Sequence, residues 1–428
     1  MVKISQIFLF LILTFSYLKI HGVGIVFLAA LAMAVSVYFR YKSSWRAPVI
    51  YILALCAFLV LHALMSHLNL PRGYAFGKDQ IKILLYGMTN FCIVVTAIYL
   101  ISKTDSPSHA RTTYWVMVVM MAIAVAEVYG PFKPIFDAIR DVYTSDSSIY
   151  AATERDLAQY GYIRPTVFTS EPSSVGNFFG ALWLCYLCTI QFSTRRLLGA
   201  ALLIVAALVV FRSPTLVGYV AVAPGLLLVK NGRSLIGYSS LVVIALGTLI
   251  LPNILWVMRF GIEIEGLKAF LSTGSFFIRQ ISPLMAVSSV MQMSPVFGAA
   301  GNYYQIARQE ASGVIGFLFG GFYTDEKLAM MPDGQFVTNA TFEFLGVFGV
   351  AGCIILTIIF LRVFRAFNIK HGAAILLACT SLWVSHAGIV GAFTWTPLIL
   401  LALAFHVRRE QVNSDSQAVQ GSGENGTS

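Results

Sequence analysis

Apolar residues arrive along this chain in blocks of about twenty, broken by short polar connectors, and the pattern persists almost from end to end. A block of that length is what an α-helix needs to cross a hydrocarbon layer of about 30 Å. The blocks lie at about 4–20, 22–39, 48–66, 81–101, 113–130, 172–192, 197–211, 214–229, 235–252, 339–361, 373–390 and 395–407. They predict an all-α polytopic membrane protein with about 12 transmembrane helices, because lipid offers backbone groups no other partner. Residues 1–410 then form a single transmembrane domain. The remainder, 411–428, is polar, small and low in complexity, and is expected to be a disordered cytoplasmic tail.

Composition agrees with this reading. Hydrophobic residues make up 58% of the chain and charged residues 11%, against about 45–50% and about 25% in soluble domains. The first block follows only Lys3, lacks a small-residue cleavage site and runs straight into the next, so it reads as a span and not as a cleaved signal peptide. All six cysteines fall inside apolar blocks. The Cys185-x-x-Cys188 pair has no second pair to complete a metal site and reads as small-residue packing.

In a soluble protein a net charge of +10 would point to nucleic acid; here its distribution sets topology instead. The connectors at 40–46, 102–111, 193–196, 230–233, 362–370 and 407–409 are all basic and fall on one side of a twelve-span arrangement. With the termini they hold about half of the 29 Lys/Arg residues, but only Asp105, Glu410, Asp415 and Glu424 of the 19 carboxylates. The positive-inside rule makes that side cytoplasmic, together with both termini. Two long loops, about 131–171 and 253–338, then face outward. The second contains apolar stretches at 266–292 and 312–323, expected to lie along the membrane surface as a structured outer cap.

Soluble-enzyme motifs are missing. "GYAFGKDQ" is one residue short of a P-loop and has Asp79 where Ser/Thr would meet magnesium. His62, His67 and His386 form no cluster with metal-ligand spacing. The outer loops carry the chemistry. Arg164 precedes Glu171-Pro172-Ser173-Ser174, a helix start whose positive end faces the same aqueous edge, so arginine and helix terminus together suit an anion such as phosphate. The alternative is a local Arg164–Glu171 ion pair that fixes the loop. Arg279 interrupts an apolar run that ends in a turn at Pro295, Gly298 and Gly301, followed by Tyr303 and Tyr304. A desolvated arginine there is costly unless it has a partner. Asp333, Asn339 and Glu343 lie near the start of the tenth block, and the last two share one helix face.

These motifs, "RPTVFTSEPSSVG", "SFFIR" to "PVFGAAG", and "NATFEFLGVFG", in this order and spacing, resemble those of Wzy-type O-antigen and surface polysaccharide polymerases and the related O-antigen ligases. The resemblance spans essentially the whole chain. It implies a GT-C-like bundle with a periplasmic cap in the bacterial inner membrane, and a glycosyltransferase whose donor is a polyprenyl-diphosphate-linked glycan. Arg164 and Arg279 would hold the diphosphate, since a guanidinium pairs bidentately with phosphate oxygens. With Glu171 they form the catalytic set, and Asp333, Asn339, Glu343, Tyr303 and Tyr304 the substrate-binding set. Implied partners are undecaprenyl-diphosphate-linked oligosaccharides, membrane lipid and a polysaccharide chain-length regulator, with no metal, cofactor, nucleotide sugar or nucleic acid.

One departure bears on the reaction. Ligases carry a His immediately before the Asn of the third motif, and here that residue is Thr338. This favours polymerase over ligase and leaves the general base open among Glu171, Asp333 and Glu343. Each has a structural alternative: Glu171 as a helix cap, Asp333 as a turn residue, Glu343 as an arginine's partner. A secondary transporter would also be a many-span bundle, but should show an inverted repeat or charged and broken helices near the midplane.

Overall fold

The computed structural model describes residues 19–20, 23–24, 45–70, 78–103, 106–143, 157, 161–167, 172–190, 193–258, 276–319, 338–384 and 392–406. Helices dominate. In chain order they are α1 (Arg46–Asn69), α2 (Lys78–Ile101), α3 (Ser106–Tyr129), α4 (Lys133–Tyr143), α5 (Pro172–Thr189), α6 (Thr194–Phe211), α7 (Thr215–Lys230) and α8 (Ser234–Met258). A π-helical turn at Phe277–Ile281 leads into α9 (Ser282–Met293), followed by α10 (Asn302–Phe319), α11 (Ala340–Ala366), α12 (Gly372–Trp383) and α13 (Ala392–Ala404). Among the described residues, 6 helices are long and apolar enough to cross a membrane, within α1, α2, α3, α6, α8 and α11, and α7, α12 and α13 are shorter apolar helices.

From the third apolar block onward, each predicted segment overlaps one of these helices, but α5, α7, α12 and α13 fall short of a span by length or apolarity, so the expected twelve spans are not shown. The first two blocks lie outside the described residues except at their junction, where the expected helix is replaced by a short antiparallel ribbon of β1 (Lys19–Ile20) and β2 (Val23–Gly24). Ile20 pairs with Val23 there, and β-branched side chains favour such pairing. The predicted tail at 411–428 also lies outside the described residues.

Burial is arranged as lipid solvation requires. On α6, Leu198, Leu202, Val205 and Val209 form an exposed row at helical spacing, while Ala200, Ile204, Ala207 and Phe211 face inward. The opposite case is α5, which is buried on all sides from Val175 to Cys185 and packs against α3, α6, α7 and α13. It is the central helix. Gly180 lets it approach α7 closely, because a Cβ there would lie 2.4 Å from the Tyr219 ring. Lys230, at the end of α7, donates to the Cys188 carbonyl and so caps the last turn of α5 with a cation.

Within the second outer loop, α9 and α10 form a hairpin packed against α11; residues 259–275 and 320–337 of that loop lie outside the described residues, and the expected outer cap is not shown. The turn of the hairpin, Pro295–Gly301, meets α11 at Gly349, roughly 14 Å along that helix from Ala340 at 1.5 Å per residue. There α11 is broken: Gly349 has φ 63 and ψ −176, outside helical geometry. In an unbroken helix Val350 N would bond Gly346 O, and Ala351 N would bond Val347 O. Here Val350 N donates to Pro295 O (3.0 Å) and Ala351 N to Val296 O (3.1 Å), while Gly346 O accepts from Ala299 N (2.8 Å) and Val347 O from Ala300 N (3.0 Å). Two helical bonds become four bonds between segments.

Helix α1 completes the junction. His62 Nε2 lies 3.1 Å from Phe348 O, and Ser66 Oγ donates to Phe297 O at 2.7 Å. Only glycine fits at the crossing. A Cβ on Gly349 would lie 2.4 Å from Gly298 N, and one on Gly298, which has φ 64, would lie 2.5 Å from Gly349 N.

Gly349→Ala is expected to destabilise the detergent-solubilised protein by more than the about 1–3 kcal/mol that backbone strain alone costs, since the overlap adds to it. Gly199→Ala on α6, where an added Cβ meets nothing within 4 Å, is expected to be neutral. Thermal melting followed by size exclusion checks both, and equal midpoints for the two variants would refute the interlock.

Candidate functional site

Two clusters hold the described site residues, and each is built around an arginine. The first is the extended segment 161–167. Arg164 is buried, at 8% exposure. Two residues on, the chain is gripped by Glu127, a carboxylate near the end of α3 that is itself 1% exposed. Thr166 N donates to Glu127 Oε1 (3.0 Å) and Oε2 (3.1 Å), Thr166 Oγ1 to Oε1 (2.7 Å), and Val167 N to Oε2 (2.8 Å). Val167 has φ 43, a conformation that β-branched residues rarely hold without outside support.

A second cation joins this edge. Arg212 follows α6 in a left-handed conformation, φ 47, and its guanidinium lies over the Tyr162 ring, 4.0 Å from the centroid. Arg212 is exposed. The turn after it carries a Ser213–Thr215 hydroxyl contact of 2.7 Å, against which Gly176 of α5 leaves no room for a side chain. The first turns of α5 are thereby docked against the turn that follows Arg212.

The second cluster forms where the π-helical turn meets the start of α11. Pro283 has no N–H to return to the carbonyl of Arg279, four residues earlier, and its ring crowds that carbonyl. The backbone answers with the wider π turn at Phe277–Ile281. Asn339 supplies the missing donor: its Nδ2 bonds Arg279 O at 3.1 Å. The same side chain caps α11, its Oδ1 accepting from Phe342 N at 3.2 Å. One fully buried asparagine thus fixes both the arginine-bearing turn and the helix start.

One turn into α11, Glu343 is fully buried and accepts a hydrogen bond from Tyr304 Oη. Tyr303 donates to Pro283 O at 3.3 Å and packs flat against Gly346, where a Cβ would lie 2.2 Å from the ring. Burial first, and then the nearby Glu343 charge, push the Tyr303 phenol well above its ordinary range. It therefore stays protonated and keeps donating at any physiological pH. Beside the Asn339–Arg279 bond, Gln280 Oε1 and Thr338 Oγ1 are buried polar atoms without a protein partner among the described residues. Buried polar atoms are ordinarily satisfied, so each of these atoms is open to a hydrogen bond from water or a polar ligand.

The structure thus brings Arg279, Tyr303, Tyr304, Asn339 and Glu343 into one cluster and places Arg164 in another. Asn339 and Tyr303 are internal supports as placed, with their polar atoms bonded to the protein. Glu171, Asp333 and His386 lie outside the described residues. The described residues hold no group of three His, Cys, Asp or Glu side chains able to share a metal ion. Sequence reading missed two participants. Glu127 carried a signal, as a lone carboxylate inside an apolar block, which lipid makes costly unless it is paired. Arg212 had a weaker one, as a cation in a connector on the outer side. No protein-family model matches the chain, and no curated protein or solved structure matches it.

Asn339 variants separate its two bonds. Asn339→Asp keeps the capping oxygen and loses the donor to Arg279 O, whereas Asn339→Ala loses both. Loss of the cap alone costs about 0.5–2 kcal/mol. The expected order of thermal stability is wild type, then Asp, then Ala, and an Asp variant as stable as wild type would show that the tether to Arg279 contributes nothing.

Proposed function

We propose that this protein is a polymerase of lipid-linked oligosaccharide repeat units, of the Wzy type, in a bacterial inner membrane. In this reading the bundle has about twelve spans with both termini cytoplasmic, and its arginines face the periplasm. The observation that carries the reading is the pinned turn of Arg279. A proline-forced π turn is tethered by Asn339 through the Arg279 carbonyl, and the neighbouring residues Gln280 and Thr338 carry buried polar atoms without a partner among the described residues, which supports assigning the Arg279 side chain to a ligand. Ionisable groups in such surroundings serve function by default, and π turns recur at functional sites.

The reaction is a displacement at the anomeric carbon of the donor sugar. A hydroxyl oxygen of the lipid-linked acceptor repeat forms the new C–O bond, the C–O bond to diphosphate breaks, and undecaprenyl diphosphate leaves with the bonding pair. A carboxylate takes the hydroxyl proton. Arg164 and Arg279 hold the diphosphate, with Arg212 as a further cation at the Arg164 edge. Fixed positive groups are effective here because negative charge accumulates on the leaving oxygen in the transition state, and they need no reorganisation when it does. Glu171 remains the proposed base. Glu343 supports the reaction indirectly, through Tyr304.

Two other readings follow from specific observations. Thr338 in the ligase histidine position argues against transfer to a lipid A core, and glycan-capped core that depends on this protein alone would reinstate it. The break in α11 is a device that secondary transporters use, although here the freed backbone groups are bonded to Pro295–Ala300. Sodium- or proton-driven solute uptake by purified protein in vesicles would favour transport.

Arg164→Ala and Arg279→Ala are each expected to abolish long-chain glycan on gels while protein level and single-repeat product persist. The corresponding Lys variants are expected to fail as well, because an ammonium lacks the bidentate fork. Normal chain length in either Ala variant would remove the diphosphate role.

A further inference from the structure

Glu127 has no place in the chemistry above, yet it is among the most enclosed charged groups described. A carboxylate inside an apolar helix is costly unless its oxygens are bonded. Both oxygens of Glu127 are bonded to one short stretch of another segment, through two backbone N–H groups and one hydroxyl of Thr166 and Val167. That stretch is not itself part of a helix or strand, so the carboxylate satisfies amides that secondary structure satisfies elsewhere. It also holds Val167 at φ 43, a strained conformation that needs such over-determination. The chain has one rotatable torsion fewer than usual on the way back to Arg164, because Pro165 fixes its own φ.

We propose that Glu127 is a positioning residue for Arg164: by clamping Thr166 and Val167 to α3 it fixes where the guanidinium points. This inference rests on the anion-holding role proposed for Arg164. Glu127 acts on the anion only through that segment and does not touch it. Loss of the clamp frees the segment to open locally, so the arginine becomes accessible while the bundle stays folded.

The test uses the purified full-length chain in lipid nanodiscs, with two probes. Phenylglyoxal modifies accessible guanidinium groups and is mapped by mass spectrometry, and inorganic diphosphate serves as the ligand. Glu127→Gln keeps the shape and replaces one acceptor oxygen by an NH2 group. Losing a hydrogen bond to a charged group corresponds to on the order of tenfold. Arg164 is therefore expected to be modified about tenfold faster, with diphosphate binding weakened about as much. Modification of Arg233, which is exposed and lies in the connector after α7 away from this segment, is expected to be unchanged. Thr166→Val removes only the hydroxyl arm and is expected to give the same pattern at smaller amplitude.

Unaltered Arg164 labelling in folded Glu127→Gln overturns the inference, and if that variant does not fold, unaltered labelling in Thr166→Val does so. Faster labelling of Arg164 and Arg233 alike would show general loosening and also overturn it. Arg164→Ala distinguishes this from failure of the functional reading: wild-type diphosphate affinity in that variant removes the anion role, whereas the labelling contrast judges Glu127 by itself.

Discussion

The exchange of backbone hydrogen bonds between Pro295–Ala300 and the break in α11 is the constraint on which the second cluster depends. A helix in lipid cannot leave carbonyls or amides unpaired, so a break at Gly349 is tolerable only if another backbone supplies donors and acceptors in the right register. The hairpin turn does so at four points, and His62 and Ser66 of α1 cover two further carbonyls. Because the turn is fixed there, α9 and α10 are fixed at both of their junctions with α11. Asn339 holds the π turn before α9, and Tyr304 holds the start of α10 to Glu343. The Arg279 turn is thus located by contacts made at both ends of the hairpin.

The first cluster is organised on a different principle. Its segment is not part of a helix or strand, and it is held by the Glu127 side chain of α3 and by the stacking of Arg212 over Tyr162. Backbone geometry locates Arg279, whereas side chains locate Arg164. A proline and an asparagine suffice for the former because the π turn is continuous with α9. The latter needs a carboxylate brought in from α3, some 39 residues away along the chain.

Block length and periodicity made the helices legible, since burial in lipid demands long apolar runs and little else. Arg279, Asn339 and Glu343 were legible as site candidates because each is a polar group in an apolar setting. The supporting contacts were not. The Gly298–Gly349 crossing is made by backbone atoms between residues 51 apart, and no side-chain pattern encodes which two glycines will meet. The packing of α9 and α10 on α11 was illegible for a related reason: an apolar stretch suited to a membrane surface is equally suited to a protein groove, and the break in α11 provides one. Glu127 gave a hint in its isolation, but its partners are amides, which every residue carries.

The central position of α5 has a consequence for how the molecule meets its surroundings. A helix wrapped by α3, α6, α7 and α13 is shielded from the thickness and fluidity of the lipid, which its neighbours must follow by tilting. Its first turns pack against the turn that follows Arg212, and its last turn is held by Lys230 at the other end. Its position is therefore set by protein contacts at both ends, whereas outer helices such as α6, with an exposed apolar row, are the ones left to adjust to the membrane around them.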